Sequence, residues 1–239
     1  MLYLCPTPIG NLADISERVL ETLREADVIL CEDTRTSLPL LSHYGIKKPL
    51  ISYHKFNEND RSAQILSRLE AGEKVALITD AGMPAISDPG QILVKKCHER
   101  GLEVTALPGP CAFVTALALS GLDSRSFRFE GFLPTDKKEQ EEVLEDLKAA
   151  RGTTIFYEAP HHLLKTLKRM EPFCLGRKAA AVRELSKRFE EIRFGTLEEL
   201  SAYYEANEPK GEFVLLIEGS SRQQREEKLR SRFENLTIE

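Results

Sequence analysis

Short apolar segments with strand character alternate with helical patterns along the first 110 residues, and this rhythm restricts the fold more than any other feature of the sequence. The predicted strands lie at residues 2–5, 28–31, 50–53, 75–78 and 104–107. Between them, Asp14 and Glu17 have the spacing of a capping box at a helix start, and Gly72 and Gly101 mark helix ends. Strands that alternate with helices pair in parallel, so we predict a parallel α/β sheet.

The same alternation resumes in the second half of the chain, less regularly. We predict strands at 127–129, 153–157, 179–182 and 213–217, a hairpin strand near Ile192, and helices around Leu144, from His161 and at 197–204. A helix starting at Pro110 is apolar almost all round over 111–119, so we expect it to be buried and to mark a domain junction. The prediction is two α/β domains, 1–109 and 110–219, with mainly parallel or mixed sheets, followed by a polar tail at 220–239.

Composition and residue spacing argue against several other classes of protein. Hydrophobic residues make up 41% and charged residues 30% of the 239 positions, and no apolar run is long enough to span a membrane. The net charge of −5 leaves no global positive field, so any contact with nucleic acid must come from local patches. Adjacent His161 and His162 point to different sides of any helix or strand, so no metal site is predicted there.

The cysteines have no pattern that indicates a disulfide, zinc or redox site. Five of them are scattered through apolar or helical stretches: Cys5, Cys31, Cys97, Cys111 and Cys174. We therefore expect reduced, buried thiols in a cytoplasmic protein.

Three proline-rich loops directly follow strands of the first domain. They contain Pro6 and Pro8, Pro84 and Pro89, and Pro108 and Pro110. The carboxyl ends of parallel strands share one edge of a sheet, and open α/β folds bind ligands at that edge. We therefore expect the ligand site where these stiff loops meet.

The loop over residues 80–90 reads DAGMPAISDPG and allows two interpretations. In the first, it is a tight connection in which Asp88 caps the next helix and the glycines serve turns. In the second, Asp80, Asp88 and the hydroxyl of Ser87 clamp a small polar ligand. The chain contains neither a G-x-G-x-x-G fingerprint nor a G-x-x-x-x-G-K-[ST] loop, which argues against ordinary dinucleotide or triphosphate binding.

An ordered set of motifs spans residues 1–217 and identifies a family. The segments are PTPIGN (6–11), CEDTR (31–35), ISYH (51–54), ITDAGMPAISDPG (78–90), LPGPCA (107–112), FEGFLP (129–134), FYEAPH (156–161), VREL (182–185) and GEFVLL (211–216). Together they resemble the ribosomal RNA small subunit methyltransferase I family of the tetrapyrrole methylase superfamily. The resemblance implies a homodimer of two α/β domains, with S-adenosylmethionine in the inter-domain cleft. It also implies 2′-O-methylation of a cytidine in the decoding region of 16S ribosomal RNA, as free RNA or in the small ribosomal subunit.

The same resemblance implies a set of cofactor contacts. They are Pro8, Gly10, Asp80, Ala81, Gly82, Pro84, Ile86, Ser87, Cys111, Ala112, Tyr157, Ala181, Glu212 and Phe213. Methyl transfer from a sulfonium is an in-line displacement that depends mainly on alignment, and loops rich in backbone contacts suit that task.

A ribose hydroxyl needs a proton acceptor, and the sequence leaves four candidates open. They are Asp33, His54, Asp80 and Glu184, each at a predicted strand end. For RNA phosphates or bases, the predicted contacts are Arg35, Arg183, Lys187 and Arg188. The aromatic residues Tyr53, Phe132 and Tyr157 either stack on a splayed base or belong to the core.

Two other functions stay open at this point. A tetrapyrrole C-methyltransferase uses the same scaffold, although EDTR and the 80–90 loop resemble the RNA branch. A noncatalytic RNA-binding or ribosome-binding module would keep the fold and bind RNA without S-adenosylmethionine.

Overall fold

The computed structural model describes residues 1–220, and the chain divides into two compact units. The first unit is Met1–Cys111, and the second begins at Ala112. From residue 221 onward the predicted polar tail lies outside the described residues.

The first unit is a five-stranded sheet with helices on both faces. Its strands are β1 (Leu2–Leu4), β2 (Val28–Cys31), β3 (Leu50–Ser52), β4 (Val75–Leu77) and β5 (Val104–Ala106). Its helices are α1 (Glu17–Glu25), α2 (Thr34–His43), α3 (Glu58–Glu70) and α4 (Gln91–Glu99). The strand order is β3-β2-β4-β1-β5 and every neighbouring pair is parallel, which confirms the predicted parallel α/β class.

Alternate side chains of the strands pack into two apolar cores, one on each face of this sheet. On one face Leu30 and Leu77 pack with Ile65 of α3, and on the other face Ile29 packs with Leu23 of α1. All five side chains are fully buried. Because both faces are covered, the strands are continuous apolar runs and the polar groups collect at their ends.

The first helix starts later than the capping-box spacing predicts. Ser16 is its N-cap, and the Ser16 hydroxyl accepts the backbone N–H of Val19 at 3.3 Å. Asp14 lies in a preceding single turn of 3-10 helix. The predicted cap at Asp14 is therefore wrong, because the serine hydroxyl satisfies the free N–H groups at the helix start.

Helix α2 was not predicted from the sequence. Asp33 caps it by accepting the backbone N–H of Arg35 at 2.8 Å. Pro39 lies inside the helix, where proline removes a backbone hydrogen bond and normally argues against helix. The local sequence therefore gives no helix signal for α2, which forms one wall of the candidate site.

The second unit carries a mixed five-stranded sheet, as predicted. Its strands are β6 (Phe127–Phe132), β7 (Thr153–Glu158), β8 (Ala179–Arg183), β9 (Glu191–Gly195) and β10 (Phe213–Ile217). Its helices are α5 (Ala112–Ser120), α6 (Lys137–Ala149), α7 (Pro160–Met170) and α8 (Leu197–Ala206). The order is β6-β7-β10-β8-β9, with β6 and β7 parallel and the other neighbours antiparallel.

Helix α5 is not buried all round, contrary to the expectation from its composition. Ala116 and Leu117 are buried, whereas Val114 is 50% and Leu119 is 44% exposed. Within the second unit the helix packs on the sheet, against β10, β7 and β8, so only one side of it is covered.

The described residues give no sign of metal or disulfide chemistry or of a membrane span. All five cysteines are free, and four of them are buried. Burial raises the pKa of the Cys5 thiol to about 12, so it stays protonated at neutral pH. Within residues 1–220, no group of three His, Cys, Asp or Glu side chains is placed to hold a metal ion. The helices there are too short or too polar to cross a bilayer.

Candidate active site

The loops after β1 and β4 are joined at the carboxyl edge of the first sheet. Thr7 and Gly82 form an isolated antiparallel bridge, with N···O distances of 2.9 and 3.1 Å in the two directions. The Thr7 hydroxyl also donates to the carbonyl oxygen of Thr79 at 3.0 Å. These bonds fix the segment that holds Pro8 and Gly10 against the loop that starts at Asp80.

The loop after β5 packs against the same junction. A Cβ atom built on Gly109 would lie 2.4 Å from Cγ of Pro6, so only glycine allows this approach. A Cβ on Gly82 would lie 3.3 Å from Cγ2 of Ile9 and 3.7 Å from the carbonyl oxygen of Pro110. The structure thus brings together the three proline-rich loops that the sequence singles out.

The loop over 80–90 contains backbone conformations that side chains rarely adopt. Ala85 and Ser87 have φ values of 66° and 64°, in the left-handed region that normally requires glycine. The backbone N–H of Ala85 donates to the carbonyl oxygen of Pro89 at 3.2 Å, which closes the turn. Such conformations cost about 1–3 kcal/mol each and cluster at ligand sites.

Asp88 does not cap the following helix. The residue at the start of α4 is Gly90, with φ of 134° and no side-chain cap. The capping interpretation of Asp88 is therefore wrong, and its carboxyl instead belongs to a group of three carboxylates at the strand ends.

Asp88, Asp80 and Glu32 form this acidic cluster. Burial, together with the charges of Glu32 and Asp80, raises the pKa of Asp88 to about 6 against the opposing charge of Lys55. Burial and the charge of Asp80 likewise raise the pKa of Glu32. Carboxylates that repel one another in this way favour a proton or a bound cation.

We expect the substitution Asp88→Asn to stabilise the protein at neutral pH. The pKa of Asp88 is about 6 in the folded chain and near 3.8 when unfolded, so the folded state binds the proton more tightly. The contribution of Asp88 to wild-type stability therefore rises as pH falls from 7 to 4, and ionised Asp88 destabilises the folded state above pH 6. The asparagine variant should gain about 1 kcal/mol at pH 7.5, allowing for partial exposure, and almost nothing at pH 4.

Urea denaturation at several pH values measures this effect. Glu21→Gln, at an exposed site on α1, is the matched control and should change stability little at any pH. Equal stability of Asp88→Asn and wild type at pH 7.5 would contradict the prediction.

Asp33 and Arg35 neutralise each other. The Asp33 carboxylate accepts from Nε and Nη2 of Arg35, the latter at 2.6 Å. These hydrogen bonds lower the pKa of Asp33 to about 2. As arranged here, Asp33 is a weak proton acceptor and a helix cap, and Arg35 carries a compensated charge.

His54 is fixed by Asn57. The Asn57 side-chain oxygen accepts the backbone N–H of His54 at 2.9 Å, and its nitrogen donates to the Ser52 carbonyl oxygen at 3.2 Å. That amide orientation places Nδ2 of Asn57 3.1 Å from Nε2 of His54, as a donor. Nδ1 of His54 is buried without a hydrogen-bond partner among residues 1–220. In this arrangement the ring has no free lone pair for a substrate proton.

Glu184, in the second unit, is held between two hydrogen bonds. Its Oε1 accepts from Nζ of Lys187 at 2.8 Å and from the backbone N–H of Glu212 at 2.9 Å. Burial alone would raise the pKa of Glu184, but these bonds and the charges of Lys187 and Arg183 lower it overall. The contacts stabilise the loop after β8 and make this carboxylate less basic.

A cavity of about 370 Å³ opens beside Asp80 in the first unit. Its walls come from the segment after β1, from α2 and from the end of β4: Pro8, Gly10, Leu12, Thr36, Ser37, Pro39, Leu40, His43, Thr79 and Asp80. This volume lies within the usual range of small-molecule sites. Because α2 was not predicted, Thr36, Ser37 and His43 were missed.

The other predicted cofactor residues differ in exposure. Ala81 and Ile86 are exposed in the 80–90 loop, and Pro84 is buried there. In the second unit, Ala181 and Phe213 belong to the apolar core, and core packing accounts for both side chains.

Tyr157, Glu212 and the first residues of α5 are more accessible. The Tyr157 ring contacts Phe129 and Phe132, and the Glu212 side chain is 79% exposed. Cys111 and Ala112, at the start of α5, are partly exposed. Cofactor contact by any of the predicted residues, in either unit, stays a prediction.

Three of the four predicted RNA-binding cations are paired with carboxylates. Besides Arg35, Arg183 pairs with Glu191 at 3.0 Å and Lys187 with Glu212 at 2.7 Å. Arg188 differs, because within residues 1–220 it forms no ion pair and lies over the Phe189 ring, 5.6 Å from its centroid.

One aromatic candidate is inaccessible. Tyr53 is fully buried, with its hydroxyl 3.3 Å from that of Ser62, so it belongs to the core and does not stack on a base. Phe132 is 57% exposed. Phe56, which follows the same strand and is 96% exposed, is not among the residues predicted from the sequence, although a lone phenylalanine in a polar loop is a visible signal.

The fold and the carboxyl-edge site define a class of methyltransferase. The family model for Tetrapyrrole (Corrin/Porphyrin) Methylases matches residues 1–201. Crystal structures with the same fold include diphthine synthase, with a TM-score of 0.74 and 16% identity over 96% of this chain and 94% of that one. The uroporphyrin-III-C-methyltransferase from Thermus thermophilus has a TM-score of 0.63 and 20% identity over 91% and 93%.

Curated relatives narrow the class to one family. The chain is 46% identical to Ribosomal RNA small subunit methyltransferase I of Synechocystis sp., over 99% of this chain and 86% of that protein. It is 46% identical to the protein of that name from Haemophilus influenzae, over 92% and 78%. The chain therefore belongs to the ribosomal RNA small subunit methyltransferase I family of tetrapyrrole methylases, as the sequence motifs indicate.

Proposed function

We propose that this protein transfers a methyl group from S-adenosylmethionine to the ribose 2′-oxygen of a cytidine in the decoding region of 16S ribosomal RNA. Family membership gives the reaction class, and relatives of 44–48% identity carry the name of the ribosomal RNA enzyme. The observation that carries the proposal is the junction of three strand-end loops beside the cavity and Asp80.

The acidic cluster fits a cationic methyl donor. S-adenosylmethionine supplies a methyl group on a positively charged sulfur. Burial and the Asp33 charge raise the pKa of Asp80, against the backbone N–H of Asp33, and the pKa of Asp88 is also raised. A nearby cation lowers the cost of keeping such carboxylates ionised. In this proposal the loop from Asp80 to Ser87 and the small residues Cys111 and Ala112 hold the cofactor.

We assign the cavity beside α2 to the acceptor nucleoside. Its hydroxyl-bearing residues Thr36 and Ser37 line the wall, and Asp80 lies where the cavity meets the 80–90 loop. Asp80 accepts the ribose proton, because the pKa of Asp80 is raised whereas that of Asp33 is lowered. His54 is a poorer candidate because Nδ2 of Asn57 donates to its Nε2. Glu184 is a poorer candidate because its Oε1 already accepts a hydrogen bond from Nζ of Lys187.

The proposed substrate is 16S ribosomal RNA, free or in the small subunit, and the proposed site of action is the cytoplasm. We further propose a homodimer, on the resemblance to the family. Exposed apolar side chains of the second unit support a place for the dimer interface there. They are Val114, Leu119, Phe127 and Phe132.

Transfer of labelled methyl groups tests the function. Purified protein with S-adenosylmethionine should label small ribosomal subunits or 16S RNA from cells that lack the gene, and the label should map to a cytidine 2′-oxygen. A tetrapyrrole precursor should accept no label. Label on the precursor instead would favour a tetrapyrrole C-methyltransferase. RNA binding without cofactor binding in calorimetry would favour a noncatalytic module.

A further inference from the structure

Phe56 is an exposed aromatic ring on a fixed turn at the carboxyl edge of the first sheet. Its side chain is 96% exposed, more than any other large apolar side chain among residues 1–220. It follows β3, the edge strand that pairs with β2.

The turn beneath Phe56 is rigid. Asn57 holds both ends, since its side chain accepts the His54 backbone N–H and donates to the Ser52 carbonyl oxygen. The backbone N–H groups of Asn57 and Glu58 donate to the His54 carbonyl oxygen at 2.9 and 3.0 Å. The backbone that carries the ring is therefore fixed, so stacking on the ring orders only the Phe56 side chain and costs less entropy than on a free loop.

The surroundings of Phe56 connect it to the candidate active site. Its ring centroid lies 6.1 Å from that of His54. The charge of Lys55, which lies between His54 and Phe56 in the chain, acts on Glu32, and the charge of Asp80 acts on Glu32 as well. Phe56 thus lies at the same edge as the proposed proton acceptor, a few side chains away.

The chemistry of this edge favours a nucleobase over other ligands. A lone ring among polar residues is too small for a stable protein interface, which buries about 800 Å² on each partner. The nearby carboxylates of Glu32 and Asp88 disfavour a phosphate group beside the ring. The charge of Lys55 already interacts with both of them. The face of an unpaired base is uncharged and stacks well on an exposed phenylalanine.

We propose that Phe56 is a positioning residue that stacks on an unpaired nucleobase next to the acceptor nucleotide in the substrate RNA. This inference rests on the proposed function for the identity of the RNA. The ring holds the strand at the edge of the sheet while the acceptor ribose reaches Asp80.

The test compares Phe56→Ala, Phe56→Leu and Phe56→Trp with wild type. Two measurements are made: binding of a fluorescein-labelled single-stranded RNA with the decoding-region sequence, and methyl transfer to small subunits. We expect Phe56→Ala and Phe56→Leu to raise the RNA Kd and KM by roughly 5- to 100-fold, with kcat nearly unchanged. Phe56→Trp should restore both within about threefold, because stacking needs an aromatic face.

Phe194→Ala is the matched control, since Phe194 is 59% exposed on β9 of the second unit. It should leave RNA Kd and KM near wild type, and no variant should alter cofactor affinity in calorimetry. A Phe56→Ala protein with wild-type Kd and KM overturns the proposal. So does rescue by leucine equal to that by tryptophan, or a changed oligomeric state in light scattering. If wild type binds the RNA but transfers no methyl group, the proposed function fails and the binding data still decide the role of Phe56.

Discussion

The Asp80→Asn variant is expected to transfer methyl groups about 100- to 1,000-fold more slowly than wild type at saturating cofactor and RNA. Loss of a positioned general base typically costs 10²- to 10⁴-fold. Asp80 lines the cavity at the end of the central strand β4, and burial together with the Asp33 charge raises the pKa of Asp80. Asparagine keeps the size of the side chain but accepts no proton. Single-turnover rates measure the effect directly.

Two further results decide whether Asp80 acts as the proton acceptor or only contacts the cofactor. Wild-type rates should fall as the pH drops through the raised pKa of Asp80, and the residual rate of Asp80→Asn should lack this dependence. The affinity of Asp80→Asn for S-adenosylmethionine should fall by much less than its methyl-transfer rate, because the rest of the loop up to Ser87 also holds the cofactor. Glu21→Gln serves as the control, because Glu21 is exposed on α1 and lies outside both the cavity lining and the acidic cluster, and it should keep the full rate. An Asp80→Asn protein with a wild-type rate would exclude Asp80 as the proton acceptor.

Gly109→Ala is expected to weaken both folding and cofactor binding. The new Cβ would lie 2.4 Å from Cγ and 3.0 Å from Cβ of Pro6, and neither ring atom can rotate away. The loops after β1 and β5 must therefore separate, and overpacking of this kind costs about 1–3 kcal/mol. Because Cys111, two residues after Gly109, belongs to the proposed cofactor site, we expect S-adenosylmethionine affinity to fall at least tenfold.

Urea denaturation and calorimetry measure the two losses separately. Gly72→Ala is the control: its Cβ meets nothing within 4 Å, so it carries only the strain of a φ of 88°. That variant should lose about 1 kcal/mol of stability and keep full cofactor affinity. Wild-type affinity in Gly109→Ala would show that the contact between Pro6 and Gly109 does not shape the cofactor site.

Local patterns in the sequence predict the class of fold but not the order of the strands. Apolar runs such as Val28–Cys31 appear as strands because both of their faces are buried. The insertion of β4 between β1 and β2 depends on contacts between residues far apart in the chain, which no local pattern contains. Helix α2 was missed because Pro39 interrupts its apolar stripe, and one wall of the cavity was missed with it.

The sequence locates the site more reliably than it assigns roles within it. Strand-end loops are recognisable because glycine and proline have distinctive backbone requirements, as at Gly82. The role of each side chain depends instead on the residues that contact it in the folded protein. Tyr53 and Phe56 follow the same strand, yet one ring enters the core beside Ser62 and the other faces solvent. Asp33 and Asp80 are both aspartates, and a neighbouring arginine lowers the pKa of only the first.

The internal position of β1, between β4 and β5, has a consequence for synthesis of the protein. Leu2 pairs with Val75 on one side and with Val104 on the other, so the first strand to leave the ribosome has no partner until most of the first unit has been translated. Contacts so distant in sequence make folding slow and leave apolar surface open to aggregation. We expect nascent chains shorter than about 75 residues to need chaperone protection. A protein that we propose modifies ribosomes would thus depend on chaperones at the ribosome to complete its own first sheet.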